Sequence, residues 1–151
     1  MIITIDTSSL IKALEKDIDS IKQGIEEGML QVASEIATMQ SDIITERVGG
    51  DGTYVRSGKL QSGITIMPLE WSANLASITI DNTTSYSTYN EIGTGIYNPN
   101  GGRQGGWVYP VGNGEYRFTL GMKPKYFAKD SYEYYKDKAP FIIQQAIYNK
   151  L

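Results

Sequence analysis

Carboxylates, glycines and tyrosines are the residues with the means to do chemistry here, because histidine and cysteine are both absent from the 151 residues. Without histidine, no side chain has an unperturbed pKa near neutrality, and the Ser-His and Cys-His nucleophile pairs cannot be built. Without cysteine there is no disulfide, thiol nucleophile or thiolate metal site. Catalysis would have to run on carboxylates, lysine or tyrosine, and the carboxylates form no recognisable acid–base pair. Glu26 and Glu27 lie in a long helical pattern and read as its solvated face, and no Asp-x-Asp-x-Asp-Gly calcium loop occurs. Glu91 stands apart, at the end of an aromatic stretch and beside a glycine-dense one. A lone carboxylate in that setting reads as an acceptor for backbone N–H groups or an arginine.

Glycine-rich loops can cradle phosphates, and residues 92–114 hold Gly93, Gly95, Gly101, Gly102, Gly105, Gly106, Gly112 and Gly114. No Gly-x-x-x-x-Gly-Lys-Ser/Thr string is present, and Gly93-Thr94-Gly95 meets Asn98 where a dinucleotide fingerprint needs its third glycine. The sequence thus argues against nucleotide binding, and no cofactor or metal is expected. Tyrosine supplies 11 of the 16 aromatic residues, ten of them from Tyr86 onward. Its large apolar ring with a polar tip is enriched where one surface buries against another.

Positioning these residues falls to an α+β chain. Leu10, Leu14, Ile18, Ile21, Ile25, Val32, Ile36, Met39 and Ile43 recur at spacings of mostly three and four, which predicts an amphipathic helical region over 8–47. Thr7, Ser8 and Ser9 offer N-caps. A helix of that length spans about 57 Å, whereas a compact chain of this size is about 40 Å across. Either it breaks near Gly24–Gly28 into two core helices, or one end leaves its own domain and packs on another subunit. Residues 2–5 alternate weakly as a short strand, and Gly49-Gly50-Asp51-Gly52 ends the helical region. One short helical turn is expected within 54–64. An antiparallel pair follows, Ile64–Leu69 with Leu75–Asp81, its Ala76, Ile78 and Ile80 facing the core. Asn82-Thr83-Thr84 reads as a turn. The sheet region over 54–120 closes with a hairpin, Trp107–Tyr109 with Tyr116–Leu120, turning through Gly112-Asn113-Gly114. The C-terminal helical region, 127–151, is expected to be interrupted near Pro140. The whole, 1–151, reads as a single domain with C-terminal helices packed on a small, mostly antiparallel sheet.

The net charge of −3 argues against a general nucleic-acid binder. Residues 1–50 carry a net −5 and residues 111–151 a net +3, so the two ends attract, within one chain or head-to-tail between copies. No signal peptide or apolar run long enough to span a bilayer is present, so the expectation is a soluble chain made in a cytoplasm.

Three strings, in order, resemble the tail-completion, or head–tail joining, family of long-tailed bacteriophages. The first is Ser57-Gly58-Lys59-Leu60-Gln61-Ser62. The second is Tyr86-Ser87-Thr88-Tyr89-Asn90-Glu91-Ile92-Gly93-Thr94, a Tyr-x-x-Tyr-x-Glu-x-Gly-Thr pattern. The third is Gly121-Met122-Lys123-Pro124-Lys125-Tyr126-Phe127, a Gly-x-x-Pro-x-x-Phe pattern before the last helix. Family members often have alanine or valine where this chain has Ser87, Thr88 and Asn90. The resemblance implies a non-enzymatic virion protein that assembles as a ring, expected to be a hexamer, in the neck. It would cap the tail tube and dock it to the head connector, and DNA would pass the lumen without sequence readout. A low net charge suits that passage, since a basic lumen would hold the phosphates. Made in the host bacterial cytoplasm, the chain would end in the virion.

The interface residues expected on this reading are Tyr86, Tyr89 and Glu91, structural residues that fix the entrance to the glycine loop, Arg103, Trp107 and Tyr109 on or beside it, and Lys123 and Lys125 after it. The acidic helix of one subunit would meet the basic C-terminal region of the next. The alternatives are another minor tail or tube component, or a carbohydrate- or cell-surface-binding module, suggested by Trp71, Trp107 and the tyrosines.

Overall fold

The computed structural model describes residues 8–48, 57–73 and 75–151, with only the backbone of 8–11 and 13. The expected strand at 2–5, the capping hydroxyls of Thr7, Ser8 and Ser9, and the Gly49–Gly52 break lie outside the described residues.

An amphipathic stripe with no proline makes one helix, α1 (Ser8–Arg47), of 40 residues and about 60 Å. The helix does not break at Gly24 or Gly28, which corrects the two-helix alternative. The reason lies at the other end of the chain. There α4 (Phe127–Tyr135) and α5 (Ala139–Tyr148) return antiparallel along α1. A Cβ on Gly24 would lie 2.5 Å from Ile147 Cα, and one on Gly28 would lie 2.6 Å from Ile143 Cα. The two glycines, four apart on one face, therefore let the backbones of α1 and α5 touch, and packing offsets their cost of about 1 kcal/mol each in helix propensity. The interruption expected near Pro140 is present at 136–138, and Pro140 itself occupies the first turn of α5, where its missing N–H is harmless.

Among the described residues the strands form three two-stranded antiparallel ribbons rather than one continuous sheet. After α2 (Lys59–Ser62), β1 (Ile64–Ile66) pairs with β4 (Ile80–Asn82), and β2 (Glu70–Ser72) pairs with β3 (Leu75–Ser77). Together they are one long hairpin interrupted in the middle, where Met67 N–H still donates to the Thr79 carbonyl. Alternation holds as expected: Ala76, Ile78 and Ile80 are half-buried while Leu75, Ser77, Thr79 and Asp81 are exposed. The indole N–H of Trp71 donates to a Glu26 carboxylate oxygen at 2.8 Å, tying the hairpin to α1. Asn82 Oδ1 accepts from Thr84 N–H, the side-chain turn expected of that triplet.

The core lies where α1, α2 and α4 meet. Ile43, Ile44, Leu60 and Phe127 are buried together, with Met39, Val48, Ile64 and Ala128 packed around them. Two ion pairs join the ends inside the chain: Lys150 of the basic end pairs with Glu27 of the acidic helix, and Arg47 pairs with Asp130 in the reverse sense. Among the described residues, no helix is long and apolar enough to cross a membrane.

Candidate assembly interface

The second and third sequence strings form one junction. Tyr86 leads into α3 (Ser87–Ile92), and Glu91 near its end faces the start of α4. The first N–H groups of any helix lack partners, and Tyr126 at the N-cap position has no short side chain to accept them. Glu91 does so from a distance in sequence: its carboxylate accepts from Ala128 N–H at 2.9 Å and Lys129 N–H at 3.0 Å. The negative charge also sits at the positive end of the α4 dipole. Backbone bonds lock the same contact, Lys125 N–H to the Asn90 carbonyl and Tyr126 N–H to that of Glu91. Glu91 is thus a backbone partner, as expected, and both its carboxylate oxygens are engaged within the chain.

Two polar residues of the second string, Asn90 and Ser87, are used here. Asn90 is buried and donates from Nδ2 to the Tyr86 carbonyl, and Ser87 Oγ donates to the Asn82 carbonyl. Tyr86 lines a small cavity with Ile44, Val48 and Leu60, whereas Tyr89 is 58% exposed.

Beyond Glu91 the glycine-rich stretch is less open than expected. Gly95–Tyr97 forms a 3-10 turn, and the chain from Thr94 to Ile96 is bonded to 120–122: Thr94 N–H to the Met122 carbonyl, Ile96 N–H to that of Leu120. The backbones touch at Gly95 and Gly121, where an added Cβ would fall 2.0 Å from Leu120 O and 2.1 Å from Thr94 O respectively. Both have φ in the left-handed range, 61° and 124°, so no side chain fits either. Arg103 lies exposed on the stretch that follows. Lys123 is exposed with its ammonium 6.0 Å from the Tyr97 ring centroid, and the Lys125 carbonyl accepts from Arg47.

From this base projects a ribbon of β5 (Trp107–Gly112) and β6 (Glu115–Thr119), turned through Asn113 and Gly114 with φ of 51° and 77° as a two-residue hairpin requires. Directly opposed residues share a face. Val108 opposes Phe118 and Pro110 opposes Tyr116, so one face is entirely apolar, with Val108 60%, Tyr116 69% and Phe118 63% exposed. The other face carries Trp107, half-buried at the base, and Tyr109 opposite Arg117. The expected interface residues Trp107 and Tyr109 therefore lie on the less exposed side, and the apolar face was missed. The signal for it was there: apolar residues at both alternate phases of 107–111 leave none of them a plain solvent face.

Comparison with family models, with curated proteins and with solved structures gives no match.

The geometry then has to speak through its own chemistry. Among the described residues no group of three or more acidic side chains is placed to hold a metal ion. The arrangement has two parts with different work: a bonded junction that fixes the base of the loop, and a ribbon held out from it with an uncovered apolar face. A two-stranded ribbon is marginal on its own in water, and a surface of this kind is stabilised by burial against a partner.

Proposed function

We propose that this chain is a structural virion protein of a tailed phage, a tail-completion ring component that joins the tail tube to the head connector, and not an enzyme. The observation that carries the reading is the convergence of the three strings on one structural unit. Leu60 of the first and Phe127 of the third share a buried core with Ile43 and Ile44. Glu91 of the second caps the helix that the third begins. Strings that serve one fold unit in this way behave as a linked set rather than as three chance matches.

In this reading the junction is the rigid mount and the β5–β6 ribbon is the docking element. The apolar face of Val108, Pro110, Tyr116 and Phe118 meets the adjoining ring of the connector or tube, with Arg103 and Lys123 as polar flanks. DNA passes through the assembled lumen without base contacts. The test is negative-stain imaging of virions made without this chain, with and without added purified protein. Full heads and separate tails that join on addition are expected. Intact infectious particles in its absence would overturn the reading.

A further inference from the structure

A cavity of about 210 Å³ lies between α1, β4, α3 and the start of α4. That volume falls below the ~300–1,000 Å³ of pockets for drug-sized ligands and suits a group the size of a side chain's end. Ile80 and Phe127 line it with apolar surface, Glu91 is half-buried beside them, and Asp81 and Thr88 stand exposed at the rim. Gln40 enters from α1 and is only 6% exposed. Its side-chain amide has no hydrogen bond among the described residues, although a buried amide left unpaired is costly. No fully enclosed side-chain nitrogen or oxygen among those residues lacks a partner. The Gln40 amide must therefore open onto accessible space, and the space that Gln40 lines is this cavity.

The charge of the lining points to a cation. Asp81 and Glu91 line the cavity, no basic side chain does, and neither carboxylate is in an ion pair among the described residues. Asp81 Oδ1 accepts from Asn82 N–H, which leaves Oδ2 for a ligand. Glu91 accepts one bond on each oxygen, and each carboxylate oxygen has a second lone pair. A divalent metal fits less well: calcium takes about 6–8 oxygen ligands, and among the described residues no group of three or more acidic side chains is placed to hold one. We infer that the cavity binds a guanidinium group, with Asp81 and Glu91 matching its charge and the Gln40 amide oxygen accepting one of its N–H groups. A guanidinium has donors enough for acceptors on β4, α3 and α1 together, and is weakly enough hydrated to lie against Ile80 and Phe127. The chemistry is the same whether the group arrives on a partner's arginine or in a free small molecule. The inference stands on the cavity and does not depend on the neck reading.

Isotope-labelled full-length protein is titrated with millimolar methylguanidinium chloride, far below denaturing concentrations, and followed by amide chemical shifts. Sodium chloride and propylammonium chloride at matched concentration are the references. Saturable shifts are expected at the Gln40 side-chain amide and at the Ala128 and Lys129 N–H groups that Glu91 holds, with propylammonium binding more weakly. Asp81→Asn, at an exposed position, keeps the fold and weakens methylguanidinium about tenfold, because a neutral acceptor replaces a charged one. Gln40→Met also weakens it, while Tm stays level or rises, because the amide removed has no partner within the described chain. Shifts no larger than those with sodium chloride would overturn the inference. So would equal binding of propylammonium, or unaltered binding in either variant. A capped Gly-Arg-Gly peptide that binds at least as tightly as methylguanidinium assigns the group to a partner's arginine, and exclusion of the peptide assigns it to a free small molecule.

Discussion

Glu91 shows how one side chain can act on an element 36 residues away. Its two carboxylate oxygens take the N–H groups that Tyr126 cannot, so Glu91→Ala is expected to cost about 1–2 kcal/mol, read as a fall in Tm. Glu91→Gln should cost less, because an amide oxygen still accepts one of the bonds. A Glu91→Ala protein with unchanged Tm would show that α4 caps itself. Tyr135 offers a pH-dependent counterpart. Burial, and then the facing Glu35 carboxylate, raise its hydroxyl above the ordinary tyrosine value of 10.0. The folded chain thus holds that proton more tightly than the unfolded chain, and the associated stability is intact below about pH 10 and lost as pH rises through the folded value. Thermal melts from pH 8 to 11, a range set about the free tyrosine value, should fall more steeply for the native chain than for Tyr135→Phe. Parallel curves would remove the linkage. Residue types alone narrowed Glu91 to a backbone or arginine partner, but which backbone it meets depends on a fold-level approach that no local pattern encodes.

At the level of elements, legibility followed the range of the interactions involved. The extent of α1, the alternation of Ala76, Ile78 and Ile80, and the Gly112–Gly114 hairpin were all readable, because periodicity and turn chemistry are set within a few residues. Continuity of α1 through Gly24 and Gly28 was not, since it depends on α5 arriving more than 110 residues later in the chain. The division of the strands into separate ribbons was equally hidden, because a strand pattern does not say where pairing lapses. The glycines give the sharpest test. On an exposed helix, alanine for glycine gains about 1 kcal/mol. At Gly28, and likewise at Gly24, the new methyl would meet α5 backbone, so Gly28→Ala is expected to lose about 1–3 kcal/mol as the helices part. Urea melts that show stabilisation would mean that α5 is not held where the geometry puts it.

For the molecule as a whole, the division between mount and ribbon predicts that stability and assembly can be separated. Phe118→Asp alters a side chain that is mostly exposed, so its effect on unfolding free energy should stay within about 0.5 kcal/mol. The same change should abolish joining of heads to tails in the imaging assay, while Tyr109→Ala on the opposite face should weaken it less. Equal joining by Phe118→Asp and native protein would remove the apolar face from the docking surface. The N-terminal arm of α1, residues 12–23, where Leu14, Ile18 and Ile21 are exposed, carries a separate consequence. Its backbone hydrogen bonds have only the helix itself to shield them, whereas those from Gly24 onward lie under α5, α4 or the long hairpin. Amide hydrogen exchange should therefore step from fast to slow within one turn near residue 24.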